Sequence, residues 1–227
     1  MSTEDHNHGR DHDHDHDHGQ GHHEVIEAEP AAASGPLAGD PSTLGLIMFV
    51  PGGVSLGLAL TGYTTGVAAT GLNSGIDVFL FVTGLGQLIA TIWALALGQT
   101  AVAAIFGIFA GFWISLGIQL TGLTHNWFGI AATDKVLQTY LIAFIVVFAV
   151  LTVGTLRLPM AFTAIFALVV AALAFVLAGV SNASESSLNI AGYIVFVFTA
   201  IVIYVLAGGL SLATGGPAFN LGKAVLH

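Results

Sequence analysis

Cysteine is absent from this chain, and charge nearly so. The lack of any Cys in 227 residues excludes disulfides and thiolate metal sites, and it leaves the compartment unreadable from redox chemistry. Lys and Arg together number four, and charged residues make up 7%, against roughly 25% in ordinary globular domains. A soluble domain of this length could not build its surface from so few charges. A nucleic-acid partner is excluded by the same shortage, because no basic face exists to meet phosphates. A Gly-rich phosphate loop ending in Lys is missing, which argues against ATP-driven pumping. Outside the first 23 residues the histidines are His125 and His227, so no Ser/His/Asp or Glu/His set can be assembled and no enzyme is expected.

The charges that exist are unevenly placed. Residues 1–36 hold nine acids and Arg10, whereas the remaining 191 residues hold Asp40, Asp77, Asp134, Glu185, Lys135, Arg157 and Lys223. The formal charge of −9 is therefore almost entirely a property of the N-terminal tail. That tail alternates His with Asp and Gly from His6 to His23, a composition that cannot bury apolar area and predicts disorder. Its imidazoles and carboxylates suit Zn, Ni or Cu, with His12, His14, His16 and His18 as candidate ligands. A solvated tail that meets metal incidentally, a metal-sensing role and a pH-responsive role all fit it. Residues 24–39 read as an Ala, Pro and Gly linker, so 1–39 form a tail, 40–213 a membrane domain and 214–227 a short C-terminal tail. The acidic start lacks the basic region of a signal peptide, and an uncleaved first span would do the targeting.

More than half of the residues, 55%, are hydrophobic, and they fall into six long runs. These are Leu44–Tyr63, Ile76–Leu97, Ala101–Gly122, Val136–Leu156, Leu158–Val180 and Leu188–Ala213. Each is about 20–25 residues, the length of a helix crossing roughly 30 Å of hydrocarbon. None carries a charge in its central part, so a proton relay of the kind pumps use is missing. The expected fold class is an all-α integral membrane protein: six transmembrane helices in a bundle with a central pore. With six spans both ends share one side, which collects Arg10, Arg157 and Lys223. The positive-inside rule makes that side cytoplasmic in a multi-pass protein of the cell membrane.

Within the runs, Gly53 and Gly57, and Ala103, Gly107 and Gly111, place small residues four apart, a spacing that brings helix backbones close in lipid. Phe106, Phe109 and Trp113 share a helical face, either as packing or as a dry pore constriction. Gln87 is the most conspicuous polar residue inside a run. Its amide either clamps a neighbouring helix or contacts a permeating solute. Gln119 and Gln138 lie nearer run ends and read as interfacial.

Several landmarks resemble the acetate/succinate transporter family of the SatP (YaaH) type. Its first-helix signature, Asn-Pro-Ala-Pro-Leu-Gly-Leu, corresponds to Asp40-Pro41-Ser42-Thr43-Leu44-Gly45-Leu46, with Phe49 at the family's spacing. Tyr63 closes the first run, and Gln87 falls at the family's second-helix Gln. Gly98-Gln99-Thr100 and Phe109-Ala110-Gly111-Phe112-Trp113 resemble its third-helix motif. Gly154-Thr155-Leu156-Arg157 resembles its element between helices four and five, and Ala191-Gly192-Tyr193 and Ile203-Tyr204 resemble its last helix. Departures are Asp40 for Asn, Thr43 for Pro, Gly57 for Asn, and Ala94 and Gly209 for Glu.

The resemblance implies passage of acetate or another short monocarboxylate, and a hexamer with one pore in each protomer. It implies a pore narrowed by Phe49, Phe109 and Val169, and a carboxylate site near the signature, with Asp40, Thr43, Leu44 and Gln87 as candidate contacts. Movement with a proton is expected, since a bare carboxylate is costly to dehydrate. A channel for a small neutral solute such as urea or another amide fits the uncharged path as well. So does a non-transporting membrane protein whose His tail handles metal.

Overall fold

The computed structural model describes residues 38–64, 71–129 and 133–226. The tail histidines, including His12, His14, His16 and His18, lie outside the described residues, as does the linker up to residue 37.

Six helices among the described residues are long and apolar enough to cross a membrane. They are α1 (Pro41–Leu60), α2 (Val78–Ala96), α3 (Thr100–His125), α4 (Asp134–Gly154), α5 (Met160–Asn182) and α6 (Glu185–Ala213). Each corresponds to one of the six expected runs. The ends shift by a few residues because polar caps belong to the helices: α1 starts at Pro41 rather than Leu44, and α6 at Glu185 rather than Leu188.

Local chemistry explains the ends. Asp40 is extended, and its carboxylate accepts the Ser42 N–H, while Pro41 fills the first helical position, where no donor is needed. Gly98 turns between α2 and α3 at φ +71°, a conformation glycine adopts without strain. Asn126 and Ala183 end α3 and α5 in the left-handed region. Ser184 then caps α6 by accepting the Ser187 N–H at 3.3 Å.

Two spans break regular α-geometry. Pro51 lies inside α1 and cannot donate to the carbonyl one turn back. The first part of α2, Val78–Gly84, is a π-helix, and Leu85–Ala96 continues as α-helix. The irregular turns face each other, since a Cβ added at Gly52 would lie 2.5 Å from Thr83 Oγ1. Nothing in the hydrophobic pattern of the second run marks this π segment.

The helices form a closed ring. α1 packs against α2 and α6, α2 against α3, α6 against α5, and α5 against α4. α3 and α4 meet through side chains: the Tyr140 O–H donates to the Phe112 carbonyl at 2.6 Å, and Phe109 and Phe148 lie 4.8 Å apart. One tight seam is α1 against α6. There a Cβ at Gly57 would lie 2.6 Å from the Phe196 ring, and one at Gly192 would lie 2.7 Å from Thr61 Cγ2. Gly53 and Gly57 thus act by close approach, whereas Gly111 has no other residue within 4 Å of its Cβ position. α4 is the least buried of the six, and its outer face, with Val146, Val150 and Val153, is exposed and apolar. Such a face needs lipid or another protein.

Candidate functional site

The sequence of α1 lays out a path. Its start holds the polar cap, Leu46 and Phe49 follow inward, and both are buried. Around the cap lies a vestibule of about 350 Å³, whose lining includes Asp40, Thr43, Leu46, Phe162, Val205 and Phe219. The Asp40 carboxylate is occupied locally: Oδ1 accepts the Ser42 N–H at 2.9 Å and Oδ2 accepts the Thr43 hydroxyl at 3.3 Å. Asp40 is exposed and Thr43 is half-buried.

One helical turn deeper the lining becomes entirely apolar or aromatic. A chamber of about 30 Å³ is enclosed by residues that include Phe49, Phe109, Trp113, Phe148, Val169 and Phe198. A second chamber of about 30 Å³ shares Leu56, Leu60, Phe112, Leu173 and Val176 with it and reaches Leu72 and Leu141. The three residues expected at the constriction, Phe49, Phe109 and Val169, line this same space. Phe49 stands at 5.2 Å from Phe109, 5.8 Å from Trp113 and 6.0 Å from Phe198. Phe109 also lies 5.7 Å from Phe166, in a stacked arrangement. Such offset and edge-on contacts hold aromatic clusters together.

The expected solute contacts are only partly brought together. Asp40 and Thr43 line the vestibule. Leu44 does not, and packs against the hydrophobic core. Gln87 lines neither vestibule nor chamber. It is fully buried between α2 and α1, where Nε2 donates to the Gly45 carbonyl at 3.4 Å and Oε1 has no partner. Of its two readings, the geometry favours the helix clamp. Phe106 packs against Gly45, outside the chamber lining. Gln119 and Gln138 meet the start of α4: Gln119 Nε2 donates to the Val136 carbonyl at 3.4 Å, and Gln138 accepts from Lys135 at 3.1 Å. A further crevice of about 280 Å³, lined by Ser115, Gln119 and Trp127 among others, shares no residue with either chamber.

Reasoning from sequence missed Phe148, Phe166 and Phe198 in the aromatic ring. Phe162, Phe166 and Val169 follow helical spacing, a signal for a shared face, but only the fold shows which face points inward. It also missed Ala218, Phe219 and Leu221, which fold back over the vestibule. Among the described residues no three His, Cys, Asp or Glu side chains come together as a metal site.

The GPR1/FUN34/yaaH family model matches residues 26–215. The chain belongs to that family. The solved structure of the bacterial acetate channel SatP superposes on this GPR1/FUN34/yaaH member with a TM-score of 0.67. The match covers 83% of this chain and 97% of that one, at 23% identity. At that identity the likeness is one of fold. No curated protein matches the chain. Family membership and six membrane-length helices make it a multi-pass membrane protein.

Proposed function

We propose that this protein passes acetate, or another short monocarboxylate, across the membrane together with a proton. The observation that carries the reading is the change of lining along α1: a vestibule that holds the polar groups of Asp40, Ser42 and Thr43 precedes, by about one turn, a chamber with no ionisable side chain. A carboxylate stripped of water in such a chamber is expensive, while the neutral acid is far cheaper. A solved structure with this fold is that of an acetate channel, which points to the same solute class. A neutral amide such as urea would meet no electrostatic barrier either, and competition with labelled acetate separates the two.

The same reading takes the working form to be a hexamer with one pore per protomer, in which the apolar outer face of α4 meets lipid or a neighbouring protomer. It puts both termini in the cytoplasm, following the basic residues. The His tail then lies on the cytoplasmic side, where Zn, Ni or Cu binding would regulate rather than catalyse.

The test is uptake of labelled acetate into proteoliposomes with and without an imposed pH gradient. Saturable uptake, stimulated when the outside is acidic and resistant to competition by urea, is expected. Uptake no faster than in protein-free vesicles would reject the proposal.

A further inference from the structure

Threonines inside helices normally hide their hydroxyl by donating to a carbonyl three or four residues back. Thr91, Thr121, Thr124, Thr139 and Thr152 all do so here, at 2.8 Å each. The buried Thr155 does the same to the Thr152 carbonyl at 2.9 Å. Thr199 in α6 does not. It is 2% exposed, and its Oγ1 has no hydrogen-bond partner. The indole Nε1 of Trp113, a residue 1% exposed, is likewise without a partner. An orphaned buried polar group costs about 1–3 kcal/mol, so two beside one chamber call for a cause.

Both lie at the Phe49 gate. Trp113 lines the chamber, 5.8 Å from the Phe49 ring. Thr199 follows Phe198, another lining residue, and abuts Gly53, one turn beyond Phe49. A Cβ at Gly53 would lie 3.2 Å from both the Phe49 ring edge and Thr199 Cγ2. The atom nearest that Cβ position is the Thr199 hydroxyl, so Gly53 leaves room for it between α1 and α6, beside Phe49. Thr83 and Gln87 also hold orphan oxygens, but they face α1 from the α2 side, with Gly52 and Gly45 as neighbours.

We propose that the Thr199 hydroxyl and the Trp113 indole N–H form a hydrogen-bonding station for the carboxyl group of the acid as it passes Phe49. The indole only donates and the hydroxyl donates or accepts, so each can serve one oxygen of a carboxyl group that passes Phe49. With the gate ring in place they wait unpaired. When Phe49 swings aside for a solute, they replace part of the water it has lost. The inference rests on the proposed passage of a monocarboxylate.

The experiment compares labelled acetate uptake and melting temperature for the wild type, Thr199→Val, Thr199→Ser and Trp113→Phe. Val keeps the shape of Thr and deletes the orphan group, so the melting temperature of Thr199→Val should hold or rise by about 2–4 °C, whereas Phe is smaller than Trp and leaves a cavity, so Trp113→Phe should lower it. Uptake should fall about tenfold for each, the worth of one hydrogen bond in a barrier, and Thr199→Ser should restore it. Wild-type uptake in Thr199→Val and Trp113→Phe would overturn the station while leaving acetate passage standing. A loss of uptake that tracks a fall in melting temperature and is not rescued by Ser would overturn it too. Absence of uptake by the wild type would instead remove the acetate reading and the station with it.

Discussion

The ring of Phe49 meets that of Phe109 edge-on, with centroids 5.2 Å apart and planes at 79°. This contact joins α1 to α3 across the apolar chamber, and under the proposed function it is the gate. Phe109 is also held by Phe148 at 4.8 Å and Phe166 at 5.7 Å. Phe109→Ala should therefore act in two ways. It should cost about 3–5 kcal/mol of stability, and it should raise leak of acetate and larger acids by about tenfold, each 1.4 kcal/mol of barrier being one decade. Phe109→Leu should show a smaller leak with most of the stability kept. Liposome flux and size selectivity identical to wild type in both variants would exclude this contact as the gate.

Asp40 both caps α1 and places a charge at the vestibule. Asp40→Asn keeps the cap, since Asn serves as well there, whereas Asp40→Ala should lose about 1 kcal/mol. Removing the charge should raise acetate uptake near pH 7 by at most about fivefold, the scale of two unit charges about 4 Å apart in water. Near pH 5 more of the acid is already neutral, so the gain should shrink. Salt should shrink it too, because the group is exposed. An equal gain at both pH values would reject charge repulsion as the cause.

Gln87 was legible as a polar residue needing partners, and its position on α2 decides which. Its amide is spent on the Gly45 carbonyl through a long 3.4 Å bond. Gln87→Met should leave melting temperature nearly unchanged, because the lost bond is offset by removal of the orphan Oε1. Acetate flux should stay within about twofold of wild type, far below the tenfold that a barrier contact is worth. A tenfold drop in flux at constant stability would return Gln87 to the solute path.

The six spans could be read because hydrocarbon imposes one length and one composition on every helix that crosses it. Phe49, Phe109 and Val169 came from a family resemblance, and the structure puts them on one chamber. What stayed hidden is relational. Thr199 differs from Thr152 only in what faces it, and that depends on Gly53 of another helix. The π segment at Val78–Gly84 has no signature in an evenly apolar run. The return of Phe219 over Gly208 follows no periodicity at all.

Two glycines make opposite predictions although both sit in spans rich in small residues. At Gly192 a Cβ would lie 2.7 Å from Thr61 Cγ2 and 3.1 Å from the Gly57 carbonyl. Gly192→Ala should destabilise by about 1–3 kcal/mol through overpacking of the α1–α6 seam. Gly111 has nothing within 4 Å, so Gly111→Ala should stabilise by about 0.5–1 kcal/mol. Thermal unfolding in detergent measures both. A lower melting temperature for Gly111→Ala, accompanied by a smaller particle in size-exclusion chromatography, would mean that a second protomer covers that face.

The C-terminal segment makes the last prediction. It is tied down by backbone bonds from Ala161 N–H to the Leu221 carbonyl and from the Val225 and Leu226 N–H groups to the Leu156 carbonyl, at 2.9–3.0 Å. The Tyr204 hydroxyl donates to the Asn220 carbonyl at 3.1 Å, and Phe219 packs on Tyr204 at 5.3 Å while lining the vestibule. Under the proposed function resistances along the pore add, and the apolar chamber of about 30 Å³ leaves far less room than the vestibule of about 350 Å³. Truncation after Gly216 should therefore leave acetate flux within about twofold of wild type, the gate barrier being worth decades. It should lower the melting temperature through the lost contacts. Combined with Phe109→Ala, it should speed bulkier acids further, because the mouth then becomes limiting. A manyfold rise in acetate flux on truncation alone would put the main barrier at Phe219 instead of Phe49.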